Sequence, residues 1–204
     1  MYARSTTIHA QPAAIDAGIA HFRDATWPTL QRIDGCLGMS LLVDRGSGRC
    51  VATNSWRTKE AMHASANQML AAHKRAAQIL RGPPIDNHWQ IAVMRRDRHS
   101  SPGVCVRATW LKARPELFDS AIDFYQRAML PAIEDFDGFC SASLMVDPTA
   151  ARAVSSVTFD SVETMQQSAD ATDSLRTAML GDLNLDQDDV GEFELAIAHL
   201  RVAG

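Results

Sequence analysis

No apolar run in this chain approaches the length that carries a helix across a bilayer, so nothing in it reads as a membrane span. The opening residues, MYARSTTIHAQP, lack the hydrophobic stretch of a secretory signal. Positive charge is not in excess either. Twenty Lys and Arg stand against 24 Asp and Glu, a net charge of −4, which gives no general attraction to nucleic acid or to an anionic membrane. Cysteine is sparse: Cys36, Cys50, Cys105 and Cys140 form no CxxC pair and show no Cys/His spacing that suggests zinc. The expectation is a cytoplasmic protein with buried, reduced thiols and no metal. GxGxxG, P-loop, GxSxG and HExxH motifs are all missing, which argues against a nucleotide cofactor held by them.

What the chain does have is core and a repeat. Of its 204 residues 46% are hydrophobic and 22% charged, an ordinary globular balance. A shift of 103 positions lays Arg4 on Arg107, Pro12 on Pro115, Pro28 on Pro131 and Asp34-Gly35 on Asp137-Gly138. The same shift brings Ser40–Asp44 (SLLVD) onto Ser143–Asp147 (SLMVD) and matches Arg49, Val51, Glu60, Met62, Ser65 and Ala66 with their own kind. Towards the ends the offset becomes 106, where Gln90–Arg95 meets Ala196–Arg201, so the second copy carries about three extra residues in an acidic stretch, Asp182–Glu194, expected as a solvated loop. Two domains follow, 1–96 and 104–204, joined by a polar linker over 97–103.

Each copy predicts the order βαββαβ. Strand one is Ser5–Ala10 and again 105–113; Leu37–Asp44 pairs with Arg49–Trp56, and Cys140–Asp147 with Arg152–Phe159. The first helix carries the stripe Ile15, Ile19, Phe22, Thr26, Leu30, Ile33, repeated as Phe118, Ile122, Tyr125, Met129, Ile133, Phe136. Pro28 and Pro131 interrupt both helices at one place, which predicts a bend or break there. A second helix opens at Thr58 with the stripe Met62, Ala66, Met69, His73, Ala76, Leu80, and at Ser161 in the second copy. The final strands are placed at Trp89–Arg95 and Leu195–Arg201. One such unit leaves one face of its sheet bare and apolar. The fold class expected is therefore α+β, two ferredoxin-like units closing on each other as an intramolecular barrel, a pseudo-dimer within one chain. A further homodimer of the whole chain stays open.

The Asp-Gly-Cys-Leu-Gly stop of the first helix, the strands SLLVD and VATNSW, and Thr-Lys-Glu-Ala-Met at the start of helix two resemble the antibiotic biosynthesis monooxygenase-like domains of the dimeric α+β barrel superfamily. DGFCSASLMVD, VSSVTF and SVETM carry the resemblance in the second copy. The family includes cofactor-independent monooxygenases of phenols and quinols and haem-degrading oxygenases, with pockets between sheet and helices. The resemblance thus implies an oxidoreductase without bound cofactor, with haem as the alternative through Ala71-Ala72-His73-Lys74. Strand one lacks the Asn of the haem-degrading members.

Five of seven histidines, His9, His21, His63, His73 and His88, lie in the first copy, and none has a histidine counterpart. His73 sits in the apolar stripe and is either a core histidine or a general base, since imidazole suits proton transfer near neutral pH. Asn54, polar on a strand otherwise facing core, is the orienting group. Trp56 is a pocket wall or gate, with Met62, Ala66, Met69, Ile8 and Phe22 lining the pocket. Arg176 replaces His73 in copy two and points to a closed or anion-suited second pocket. The expected ligand is a small apolar aromatic molecule. The rival readings are a non-catalytic carrier of such a ligand or of haem, and a scaffold whose pockets are filled by its own side chains.

Overall fold

The computed structural model describes residues 1–97, 103–112, 114–183 and 186–200; most of the expected linker lies outside them. The side chains of Arg176, Met179, Leu180, Asp182, Leu183 and Leu200 are also outside that description. Both copies show the βαββαβ order. The first runs β1 (Tyr2–His9), α1 (Ile15–His21), α2 (Trp27–Leu30), β2 (Cys36–Val43), β3 (Arg49–Trp56), α3 (Lys59–Leu80) and β4 (Ile85–Arg96). The second runs β5 (Cys105–Lys112), α4 (Phe118–Phe124), α5 (Leu130–Glu134), β6 (Phe139–Asp147), β7 (Arg152–Phe159), α6 (Val162–Gln167), α7 (Ala169–Leu183) and β8 (Asp186–Leu200). The strands close into one antiparallel barrel in the order β1-β3-β2-β8-β5-β7-β6-β4.

Local chemistry accounts for the element ends. The Thr58 side chain accepts from the Ala61 amide at 3.1 Å, and Ser161 from that of Thr164 at 3.2 Å, so each second helix starts on a capping hydroxyl. Gly35 (φ 82°) and Gly138 (φ 72°) supply the left-handed residue after the first helices. The break announced by the prolines is a π-helical turn: Phe22–Thr26 precedes Pro28 and Tyr125–Met129 precedes Pro131. In each the amide that follows bonds five residues back, Trp27 to Phe22 and Leu130 to Tyr125. Widening the turn accommodates the proline, which would clash with the carbonyl four residues before it in a regular helix.

Two compact units divide the chain, Met1–Trp89 with Leu195–Gly204, and Gln90–Glu194. They do not coincide with the two sequence repeats, because the last strand of each copy is split. Trp89 of β4 stays with the first unit, its indole donating to Ser5 Oγ at 2.8 Å, while Gln90–Arg96 pairs with β6 in the second. Likewise Asp186–Glu194 of β8 pairs with β5, and Ile197 joins the core of the first unit.

Three expectations need correction. The acidic stretch is not a solvated loop, since Asp186–Glu194 is strand. Pairing with β5 overrides the poor strand propensity of aspartate, and Asp188, at a register shift, meets Lys112. The second helix of copy two is interrupted at Ser168, giving α6 and α7. Ala66 is exposed, and the buried stripe of α3 is Met62, Ser65, Met69, Ala76 and Leu80. Ser65 is buried because its hydroxyl is satisfied, donating to the Met62 carbonyl at 2.7 Å and accepting from Arg4 Nη1 at 3.3 Å.

Candidate functional site

The first unit contains a small cavity between its sheet and its helices. Its walls are Thr6 and Ile8 on β1, Phe22 and Thr26 on the π turn, Met39 on β2, Ala52 and Asn54 on β3, and His73 and Ala76 on α3. Strand alternation puts Ala52 and Asn54 on the helix-facing side of β3, and the π turn brings Phe22 and Thr26 to the same space. His73, Asn54, Ile8 and Phe22 were singled out from sequence and meet here. Trp56 does not wall the cavity; it is fully buried and its indole donates to Asn54 Oδ1 at 2.6 Å. Met62 and Met69 belong to the same core but are not among these walls, Ala66 is exposed, and the Arg176 side chain is not among the described ones. Sequence reading missed Thr6, Thr26, Met39, Ala52 and Ala76; the signal for Thr26 was a hydroxyl inside an otherwise apolar helical stripe.

Polar accounting gives the site its character. An indole is a donor only, so Asn54 must turn its oxygen to Trp56 and keep its amide nitrogen for elsewhere. That nitrogen bonds to no described residue. Thr26 is 2% exposed and its hydroxyl is buried without a partner. His73 is half-buried and likewise bonds to no described residue. Burial lowers its pKa from the ordinary 6.5, opposed by the Asp86 carboxylate and reinforced by the Arg4 guanidinium, so the neutral, proton-accepting ring is favoured.

A charged cluster stands beside the cavity. Thr6 Oγ1 donates to Asp86 at 2.6 Å. Arg4 is only 4% exposed and donates to the Met62 carbonyl at 2.6 Å and to His88 Nε2 at 3.4 Å. Burial lowers the Arg4 pKa, with Asp86 opposing. In the second unit Arg107 repeats the clamp, donating to the Met165 carbonyl at 3.0 Å and pairing with Glu192 at 2.8 Å. The repeated arginine, buried in both units, thus ties the first strand to the opening turn of the second helix.

Of the β1 walls, Thr6 is repeated as Thr109 and Ile8 is answered by Leu111, but the walls on the π turn and β3 are not repeated. Tyr125, at the position of Phe22, is fully buried, and its hydroxyl accepts from Ser155 at 3.4 Å and donates to the Ser143 carbonyl at 3.5 Å. Val157 stands for Asn54, Phe159 for Trp56 and Met129 for Thr26.

The cavity has about 10 Å³ open to water, room for about one molecule. Haem does not fit a space of that size. Among the described residues no group of three or more His, Cys, Asp or Glu could hold a metal ion, and no helix is long and apolar enough to cross a membrane. The four cysteines are buried and form no disulfide; burial pushes Cys50 and Cys105 up to about 11, which leaves them protonated at neutral pH.

The family model for antibiotic biosynthesis monooxygenases matches residues 1–78. The chain is 52% identical to the uncharacterized protein Rv2557 of Mycobacterium tuberculosis (strain H37Rv) over 202 residues, 99% of this chain and 90% of that protein. It is 53% identical to Rv2558 of the same strain over 203 residues, covering 99% and 86%. Among solved structures, an anthrone oxidase-like protein superposes with a TM-score of 0.69 at 11% identity, covering 98% of this chain and 90% of that one. LmHde, a heme-degrading enzyme of Listeria monocytogenes, gives 0.55 at 10% identity, covering 96% and 99%. At those identities the likeness is one of fold. The chain belongs to the antibiotic biosynthesis monooxygenase family, as a tandem form with both βαββαβ copies in one polypeptide. Family and fold together support a monooxygenase-like or small-molecule-binding role.

Proposed function

We propose that the first unit binds a small hydroxylated aromatic molecule and promotes its oxidation by dioxygen, with His73 as general base and Asn54 as orienting group. The observation that carries this is the meeting of His73 and the uncommitted Asn54 amide on one cavity whose other walls include Ile8, Phe22 and Met39. A neutral imidazole accepts the phenolic proton. The resulting phenolate is electron-rich enough to react with oxygen directly, so the protein supplies an apolar enclosure, a base and a fixed orientation. Trp56 acts behind Asn54, holding its oxygen so that the amide nitrogen faces the ligand.

Room for about one water means that a ring enters only when the walls move apart. That same size favours the competing reading, a scaffold closed by its own side chains. Oxygen uptake across a panel of phenols and quinols separates them. Turnover that is lost in His73→Ala supports the oxidase reading. Equal turnover by that variant removes His73 from the mechanism, and no turnover of any panel member together with no ligand-induced rise in Tm favours the scaffold.

A further inference from the structure

Hydroxyls on helices normally satisfy themselves on the preceding turn. In this protein Thr29 donates to the Ala25 carbonyl at 2.9 Å, and Ser174 and Thr177 donate to Asp170 and Asp173 at 2.8 Å each. Buried Ser65 and Ser168 donate three residues back, at 2.7 and 2.8 Å. Thr26 departs from this pattern, as Thr172 on α7 also does, but of the two only Thr26 walls the cavity with His73. Its hydroxyl is buried and bonds to no described residue, although the π turn places it one helical turn after Phe22. The Phe22 carbonyl is engaged by the Trp27 amide instead. A buried hydroxyl left unpaired destabilises a fold. The repeat shows that the position does not demand one, since Met129 fills it in the second unit at 5% exposure.

Resting on the function proposed above, we infer that Thr26 is a specificity-determining residue that, with the Asn54 amide, receives the hydroxyl oxygen of the ligand. The donor and acceptor inventory selects the class. The Asn54 nitrogen offers only donors, the neutral His73 ring offers an acceptor, and the Thr26 hydroxyl can serve either way. A ligand group that both accepts and donates at one atom satisfies all three, whereas a hydrocarbon leaves them unpaired. The hydroxyl end of a hydroxyarene therefore sits deepest, and an analogue without oxygen is rejected for polar reasons as well as for shape.

The test is titration calorimetry under nitrogen with 1-naphthol and 1-methylnaphthalene as probes, on the whole chain and on Thr26→Val and Thr26→Ser. The wild type should prefer the naphthol, Thr26→Val should lower that preference about fivefold while leaving methylnaphthalene affinity unchanged, and Thr26→Ser should keep it. The valine variant should melt at or above the wild-type temperature. An unchanged preference in Thr26→Val overturns the inference while the function reading stands. A wild type that binds neither probe removes the function reading and this inference with it. A Tm lowered by more than about 2 °C in Thr26→Val also overturns it, because the hydroxyl would then be paired within the fold.

Discussion

The Asn54–Trp56 pair permits a quantitative test, because the second unit contains its apolar counterpart. Trp56 is fully buried, Asn54 is 4% exposed, and one hydrogen bond of 2.6 Å joins them. At the same places the second unit has Val157 and Phe159, buried to 5% and 0% exposure. Asn54→Val leaves a sealed indole N–H without an acceptor, which costs about 1–3 kcal/mol. Trp56→Phe strands the Asn54 oxygen and also removes packed volume, adding a cavity cost of the same order. The double substitution retains only the volume loss, since removing both partners of a buried hydrogen bond is close to neutral. A coupling of about 1–2 kcal/mol is therefore expected, with the double variant more stable than the sum of the singles. Urea denaturation of the four proteins measures it, and at this chain length each kcal/mol also moves Tm by about 2–4 °C. Effects that add to within about 0.5 kcal/mol would show that the bond does not couple the two side chains and that Asn54 is not held as described.

His73 gives a pH prediction. Its folded pKa lies below 6.5 through burial, so below that pH the unfolded chain binds more protons than the folded one, and stability present above 6.5 is lost as pH falls through the folded value. His73→Gln should flatten the fall of Tm between about pH 7 and pH 5; parallel Tm profiles would refute the assigned burial. The turn before β3 gives another. Gly48 (φ 76°) lies where an added Cβ would come within 2.2 Å of the Ala10 carbonyl oxygen, while its counterpart Ala151 holds φ 56° with a side chain. Ala151→Gly should stabilise by up to about 1 kcal/mol and Gly48→Ala should destabilise by more, both read by thermal melts. A lower Tm for Ala151→Gly would refute the argument.

The large features were legible because the chain states them twice. The 103-residue offset located β3 and β7 to the residue, and Pro28 with Pro131 announced the irregular helix, though not that it would be a π turn. What stayed hidden depends on partners distant in sequence. Helical spacing alone could not choose Ser65 over Ala66 for the buried face, since the choice rests on Arg4, 61 residues away. Composition made Asp186–Glu194 look like a loop, and only β5 makes it a strand, with Arg107 and Lys112 answering its carboxylates. At the site, His73 and Asn54 stood out as polar residues in apolar patterns. Thr26 carried the same signal but passed as helix core, because threonine usually satisfies its hydroxyl on its own helix.

The split strands have a consequence for how the protein is made. The second unit is one uninterrupted segment, Gln90–Glu194, whereas the first is discontinuous and regains chain only from Leu195 onward. Its strand β2 borders β8, so this join spans about 150 residues of sequence. Contacts so distant form late, and during synthesis the N-terminal segment emerges first yet lacks this strand segment until Leu195 and the residues after it have been made. Every wall of the cavity with His73 lies between Thr6 and Ala76, so the late segment adds Ile197 to the core that supports the cavity and not to its lining. A ribosome that stops early releases a polypeptide whose second unit can be whole while its candidate active unit is not.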